Sequence, residues 1–316
     1  MDIILLVIGF VLLIKCADMF VDGCSNIAKF FGIPTLIIGL TIVAFGTSAP
    51  EAAVSLTAAI NGNNAISIGN IVGSNIANLL LILGFSGIVS SIKAKKKVIT
   101  RDFVFEIFSS IMLFLMVSKS FFLGETSAIL TRGNGLILLI TLGVYMYILL
   151  KDAKKDLLAK SQEKEEKRKF QIKDIFFIII GILGIILGGR LVVDSAVAIA
   201  KMLKVTDHVI ALTIVAVGTS LPELVTSVVA TKKGEVDIAI GNVIGSNIFN
   251  ILFILGLTSV ICPLSVVAVS FIDIIIMLVV SVIVFLFLSK NYRIGKAKGI
   301  TMLLMYVAYI IYIVIR

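Results

Sequence analysis

The chain has 316 residues, of which 59% are hydrophobic, with a mean hydropathy of +1.15 and a formal net charge of +9. An ordinary soluble domain carries roughly 45–50% apolar residues, so this composition excludes a water-soluble fold and makes lipid the solvent to reason in. The positive charge would suit nucleic acid in a soluble protein, but here it collects between apolar stretches, where it sets membrane orientation.

Taken in chain order, ten stretches are long enough to cross a hydrocarbon core of about 30 Å as helices. They run over 2–28, 34–60, 64–90, 99–118, 129–150, 174–200, 208–231, 236–261, 266–289 and 295–315, which predicts an all-α integral membrane protein. Lys29, the cluster from Lys93 to Arg101, the basic residues of 151–173, Lys232 with Lys233, and the run from Lys290 to Lys298 all fall at alternate span ends. The positive-inside rule then places both termini outside the cell membrane and the 151–173 linker in the cytoplasm. The first span has no basic leader and no small-residue cleavage site, so it reads as a retained helix. Cys16, Cys24 and Cys262 form no CxxC pair and read as packing residues.

The chain is written twice. Residues 39–84 match 211–256 without a gap at an offset of 172, with about 26 of the 46 positions identical. The same offset pairs Gly9 with Gly181, Asp22 with Asp194 and Lys29 with Lys201. Two five-span repeats follow, 1–150 and 174–316, joined by a charged linker over 151–173 that reads as a solvated helical or disordered connector. Because five is odd, the second copy enters the membrane from the opposite side, and transporters on this inverted plan hold substrate near the midplane where the copies meet.

The chemistry lies in the duplicated segment. Glu51 and Glu223 each sit near mid-span in a G-T-S-x-P-E string. A carboxylate there costs roughly 2.5–3.5 kcal/mol on insertion scales, and the core repeats offer no basic partner at that depth. Ala44, Thr47, Ser48, Glu51 and Ser55 fall on one helix face, as do Ala216, Thr219, Ser220, Glu223 and Ser227. In the next spans Asn70, Ser74 and Asn78, and again Asn242, Ser246 and Asn250, make a second polar stripe. The four stripes are expected to enclose an oxygen-lined pocket. Pro50 and Pro222 donate no amide hydrogen, which frees the carbonyls of Gly46 and Gly218. Such hard oxygen donors suit Ca2+ and Na+ rather than thiolate-seeking metals. Two glutamates give about two negative charges, which one Ca2+ or two Na+ would neutralise; further Na+ would make movement of the loaded site respond to voltage.

These duplicated strings, Gly46 to Glu51 with Gly69 to Asn75 and Gly218 to Glu223 with Gly241 to Asn247, resemble the alpha-repeats of the calcium/cation antiporter superfamily, and within it the sodium/calcium exchanger family. The resemblance implies antiport of Ca2+ against Na+ by alternating access, with no further cofactor and no obligate protein partner. It implies Ca2+ coordination by Glu51 and Glu223 with the carbonyls of Thr47 and Thr219. It also implies Na+ sites built from Ala44, Ser48 and Ser74 in one half and Ala216, Ser220 and Ser246 in the other, with Asn78 and Asn250 completing the middle. The first and sixth spans would slide as a gating pair. Asn250 stands where the potassium-dependent branch has Asp, which argues against K+ co-transport, and the linker is too short for the calcium-sensing insert of animal exchangers.

A cation/H+ antiporter of the same fold is the nearest rival reading, with glutamate protonation replacing Na+ binding. A channel fits inverted, broken helices less well. The string Gly84-Phe85-Ser86-Gly87 matches an intramembrane serine protease, but that mechanism needs a histidine base, and His208 lies at a span entrance rather than at depth. Asp22 and Asp194 suit either a gating role or interfacial solvation, while Lys15 and Arg190 read as side chains that snorkel to an interface. Glu106, Asp102 and Asp273 lack repeat partners at the offset of 172.

Overall fold

Backbone polar groups have no water to bond in hydrocarbon, so a spanning chain must satisfy them within helices or a closed barrel. In the computed structural model, which describes residues 2–160, 171–203 and 216–315, the chain is almost wholly helical. The middle of the linker (161–170), His208 and the first part of the 208–231 span lie outside the described residues.

The helices are α1 Asp2–Phe31, α2 Thr35–Thr47, α3 Ala49–Ile60, α4 Asn64–Val89, α5 Val98–Phe122, α6 Arg132–Lys160, α7 Ile172–Met202, α8 Ala216–Gly218, α9 Leu221–Lys232, α10 Val236–Ile261, α11 Ala268–Ser289 and α12 Lys296–Ile315. Among the described residues eight helices are long and apolar enough to cross a membrane, and α2 and α3, bent by 46° at their break, meet the same standard together. The predicted spans outside 208–231 therefore fall on helices, with ends displaced by a few residues.

Burial follows a two-layer logic. The most apolar windows of α4 and α10 are 78% and 94% buried, whereas those of α1, α6, α7 and α12 are at most 28% buried. The outer helices turn large apolar side chains such as Leu183, Ile140 and Leu304 outward. That exposure would be a liability in water and is the lipid-facing surface of a membrane protein. The centre is then free to hold polar residues. α1 and α7 pack on each other as a pair, and α10 packs tightly on α2. A Cβ at Gly241 or Gly245 would meet the backbone of Leu40 at 2.9 or 2.8 Å, so glycine there lets the two helices approach.

Two short antiparallel ribbons tie the halves together. β1 (Ile92–Lys93) pairs with β4 (Arg293–Ile294), and β2 (Ser127–Leu130) pairs with β3 (Leu264–Val267). Sequence alone did not mark them.

The linker expected over 151–173 continues α6 as helix to Lys160, and Asp152 is held by Arg101 Nη1 at 2.6 Å and Lys97 Nζ at 3.3 Å. One expectation needs correction: Asp102 does not lack a repeat partner. At an offset of 171 rather than 172, Asp102 aligns with Asp273, Ser110 with Ser281 and Ser118 with Ser289. Burial along α5 and α11 agrees with that register, since Asp102, Ser110, Leu113 and Val117 are buried and so are Asp273, Ser281, Val284 and Leu288. One residue is lost between the copies after the matched block. In the shifted register Glu106 stands opposite Met277.

Candidate functional site

The site begins with a break in a helix. Pro50 cannot donate, and the helical ladder lapses between Ser48 N–H to Ala44 O (3.0 Å) and Ala52 N–H to Ser48 O (3.1 Å). The carbonyls of Phe45, Gly46 and Thr47 are left without a donor four residues on. The second copy repeats this: Ser220 N–H bonds Val217 O at 3.1 Å, and the ladder resumes at Leu224 N–H to Ser220 O (3.0 Å). The sequence predicted one freed carbonyl in each copy; in the structure the i to i+4 ladder lapses at Thr47 as well as at Gly46. Glu51 and Glu223 stand in the first turns of α3 and α9, whose unsatisfied N–H groups present partial positive charge.

Asn70 and Asn242 then cross-link the copies. Asn70 Nδ2 donates to the Glu51 carbonyl (3.3 Å) and Ser55 Oγ (2.9 Å), and its Oδ1 accepts from Thr219 Oγ1 at 3.3 Å. Asn242 Nδ2 donates to the Glu223 carbonyl (3.3 Å) and Ser227 Oγ (2.9 Å), while its Oδ1 accepts from Thr47 Oγ1 at 3.0 Å. Each asparagine fixes the glutamate helix of its own copy against the broken helix of the other. The serines do the same: Ser48 Oγ donates to Glu223 Oε1 at 2.9 Å, and Ser220 Oγ lies 3.4 Å from Glu51 Oε1 and 3.2 Å from Ser74 Oγ.

A second pair of amides closes the centre. Asn75 Nδ2 donates to the Asn247 carbonyl and Asn247 Nδ2 to the Asn75 carbonyl, both at 3.3 Å. Asn78 Nδ2 donates to Asn247 Oδ1 (3.0 Å), and Asn250 Nδ2 to Asn75 Oδ1 (2.9 Å). Asn78 and Asn250 each open a stretch of wider i to i+5 turns, 78–82 and 250–255, a distortion common at functional sites.

What remains unpaired defines the chemistry. Glu51 Oε2, Glu223 Oε2, Asn78 Oδ1, Asn250 Oδ1 and Ser246 Oγ are buried and have no hydrogen-bond partner. Such orphaned atoms are expensive unless something else satisfies them. Both glutamates are 1% exposed, and neither has a basic partner among the described residues. All five orphans are oxygens, two of them on carboxylates, which is the donor set of a hard cation and of no thiolate-seeking metal.

The predicted residues therefore come together. Thr47, Ser48 and Glu223 share one hydrogen-bonded network through Asn242, Thr219, Ser220, Ser74 and Glu51 share a second through Asn70, and Asn78 and Asn250 share a third through Asn247 and Asn75, while Ser246 presents its unpaired hydroxyl from α10. The Ala44 carbonyl already accepts the Ser48 amide, and Ala216 lies in α8 with its side chain outside the described residues. Asn75 and Asn247 were passed over because they fall beside the polar stripe rather than on it. A cavity of about 100 Å3 bordered by Phe45, Phe249, Phe253 and Ser48 reaches the cluster from outside, and Phe45 meets both other rings edge-on.

Residues 1–151 and 173–315 match the model of the sodium/calcium exchanger protein family. The chain is 34% identical over 341 residues to the sodium/calcium exchanger MaX1 of Methanosarcina acetivorans, covering 98% of this chain and 97% of that one. It is 37% identical over 267 residues to the inner membrane protein YrbG of Escherichia coli, covering 82% of this chain and 79% of that one. Among solved structures, the sodium-calcium exchanger NCX_Mj soaked with Na+ and Ca2+ superposes with a TM-score of 0.81 at 31% identity, over 98% of this chain and 97% of that one. Duplicated broken helices, paired buried carboxylates and these likenesses converge: the chain belongs to the sodium/calcium exchanger protein family and is a multi-pass membrane antiporter of cations.

Proposed function

We propose that the protein exchanges Ca2+ for Na+ by alternating access, with both ions using the oxygens around Glu51 and Glu223. The observation that carries this is the symmetric set of buried orphan oxygens on two carboxylates without basic partners. Glu51 and Glu223 with the carbonyls of Thr47 and Thr219 hold Ca2+. Ala44, Ser48 and Ser74, with Ala216, Ser220 and Ser246, serve Na+ on either side, and Asn78 and Asn250 complete the middle. Two ions that need the same carboxylates exclude each other, and exclusion is the basis of exchange.

The neutral amides at Asn78 and Asn250 leave the site with about two negative charges, so a load of more than two Na+ moves net charge across the membrane and feels its potential at roughly 2.3 kcal/mol per charge per 100 mV. Transport is then electrogenic and independent of K+. The chain is read as two inverted five-span repeats, 1–150 and 174–316, around the 151–173 linker, in the cell membrane with both termini outside and the linker in the cytoplasm. One chain completes the site, so a monomer suffices. α1 and α7, the outer pair against the buried core, slide to open the site to either face.

The test is 45Ca2+ uptake into proteoliposomes loaded with Na+ and diluted into choline, K+ or Na+ medium. Uptake driven by the outward Na+ gradient and indifferent to K+ is the expected result. Uptake that ignores Na+ and follows an imposed pH gradient would overturn it in favour of cation/H+ antiport on the same scaffold.

A further inference from the structure

The duplicated pocket has one feature that is not duplicated. Glu106, on α5, is 0% exposed and has no basic partner among the described residues. Its Oε1 accepts from Asn247 Nδ2 at 3.3 Å and from Ser281 Oγ at 2.9 Å, and its Oε2 has no partner. It lies outside the set of orphan oxygens at the site yet is two hydrogen bonds away from Asn78, through Asn247.

Asn247 is the link. One of its amide hydrogens goes to the Asn75 carbonyl and the other to Glu106, while its Oδ1 accepts from Asn78 Nδ2 at 3.0 Å. A carboxylate accepts and cannot donate, so it permits only one orientation of the Asn247 amide. Turning that amide over would set Oδ1 against Glu106 and Nδ2 against Asn78 Nδ2, two mismatches in a buried place. With Asn247 so fixed, Asn78 must donate through its nitrogen, which leaves Asn78 Oδ1 unpaired and available. In the other copy Asn75 receives Asn250 and donates to the Asn247 carbonyl, but Met277 occupies the position equivalent to Glu106. Asn75 has one such acceptor where Asn247 has two.

We propose that Glu106 is a positioning residue of the transport site, which through Asn247 holds Asn78 with its oxygen presented to the cation in one half of the pocket only. The proposal rests on the reading that Asn78 and the two glutamates hold the transported ion. It makes the two middle amides unequal ligands in spite of their symmetric sequence.

The test is equilibrium 45Ca2+ binding to the purified full chain, with wild type and Glu51→Gln as references. Glu106→Met, the residue of the other copy, removes the acceptor and is expected to raise the Kd for Ca2+ about tenfold at an unchanged number of sites. Glu106→Gln can still accept from Asn247 and Ser281 and is expected to stay within about twofold of wild type. Ser281→Ala, which leaves the Asn247 bond in place, is expected to do the same. A Glu106→Met protein that binds like wild type overturns the proposal, and so does a Glu106→Gln protein as weak as the methionine variant. If the methionine variant does not fold, Glu106→Gln is measured against wild type alone, and a Kd raised about tenfold in it overturns the proposal. Loss of specific Ca2+ binding in the wild type itself would instead sink the functional reading on which the proposal stands.

Discussion

The turns that follow the two glutamate helices share a backbone and differ in charge. Asn61-Gly62-Asn63 and Lys233-Gly234-Glu235 occupy equivalent positions, and both central glycines have φ of +78°, a conformation that side chains with a Cβ resist. The second turn is bound to α1: Lys233 Nζ pairs with Asp18 at 2.8 Å and Asp22 at 2.7 Å, while Lys29 Nζ pairs with Glu235 at 3.2 Å and Ser25 also donates to Glu235. The first turn carries no charge, so it can make no such clamp on α7. At the centre the copies are nearly interchangeable, whereas at the ends they are not. On the proposed alternating-access reading, the duplicated site would offer both ions the same oxygens, and the unequal ends would set different costs for opening at the two ends. Asp22, ambiguous in the sequence between gating and solvation, is thus an ion-pair partner in the clamp.

The comparison can be broken at its centre first. Glu51→Gln and Glu223→Gln each remove one of the two charges, and each is expected to reduce 45Ca2+ exchange more than about 100-fold, or ~2.7 kcal/mol of ion stabilisation. Equal losses in the two variants would show that the halves share one site. Next, the clamp can be copied to the other end. The double variant Asn61→Lys with Asn63→Glu places a cation and an anion opposite Asp194 and Lys201 in the repeat register, with Arg190 standing where the natural clamp has Asp18. Stopped-flow or isotope exchange should slow roughly tenfold, ~1.4 kcal/mol on the barrier, with Ca2+ affinity within about twofold.

Smaller effects are expected from loosening the natural clamp. Lys233→Gln removes the pairs to both Asp18 and Asp22, and should change the exchange rate by about threefold while leaving the Kd for Ca2+ unaltered. Lys29→Gln should shift the rate by less than about twofold, because its side chain is 56% exposed and water screens the pair. Partial burial pulls the Lys233 pKa down, but its bonds to Asp18 and Asp22 outweigh that and leave it above the ordinary value. A cationic group raised in this way contributes its full stabilisation below its unfolded pKa, about 10.4, and loses it only as pH rises through the folded value. Exchange that varies with pH below about 9 must therefore be traced to other groups, and comparing wild type with Lys233→Gln across that range checks this.

Much of the architecture was legible because it was written twice. The gapless match fixed Glu51 against Glu223, and the prolines fixed the breaks, since a missing amide hydrogen is a local property of one residue. The cross-links from Asn70 to Thr219 and from Asn242 to Thr47 were half legible: spacing put each residue on a polar face, but not which faces meet. Asn75 and Asn247 were passed over because spacing puts each one residue off the polar stripe of its helix, and only the packing of the two copies brings these amides onto each other's carbonyls. Glu106 was hidden by one lost residue. At an offset of 172 it has no meaningful partner, and the register that sets it against Met277 emerges only at an offset of 171, where Asp102, Ser110 and Ser118 meet Asp273, Ser281 and Ser289 and burial along α5 and α11 agrees.

The central claim is that Ca2+ and Na+ compete for one set of oxygens, and equilibrium 45Ca2+ binding titrated with Na+ tests it most directly. Na+ should displace Ca2+ completely, with a Hill coefficient above one, and neither Glu51→Gln nor Glu223→Gln should retain specific binding. Ca2+ that stays bound at saturating Na+, or that survives loss of either glutamate, would contradict a shared site.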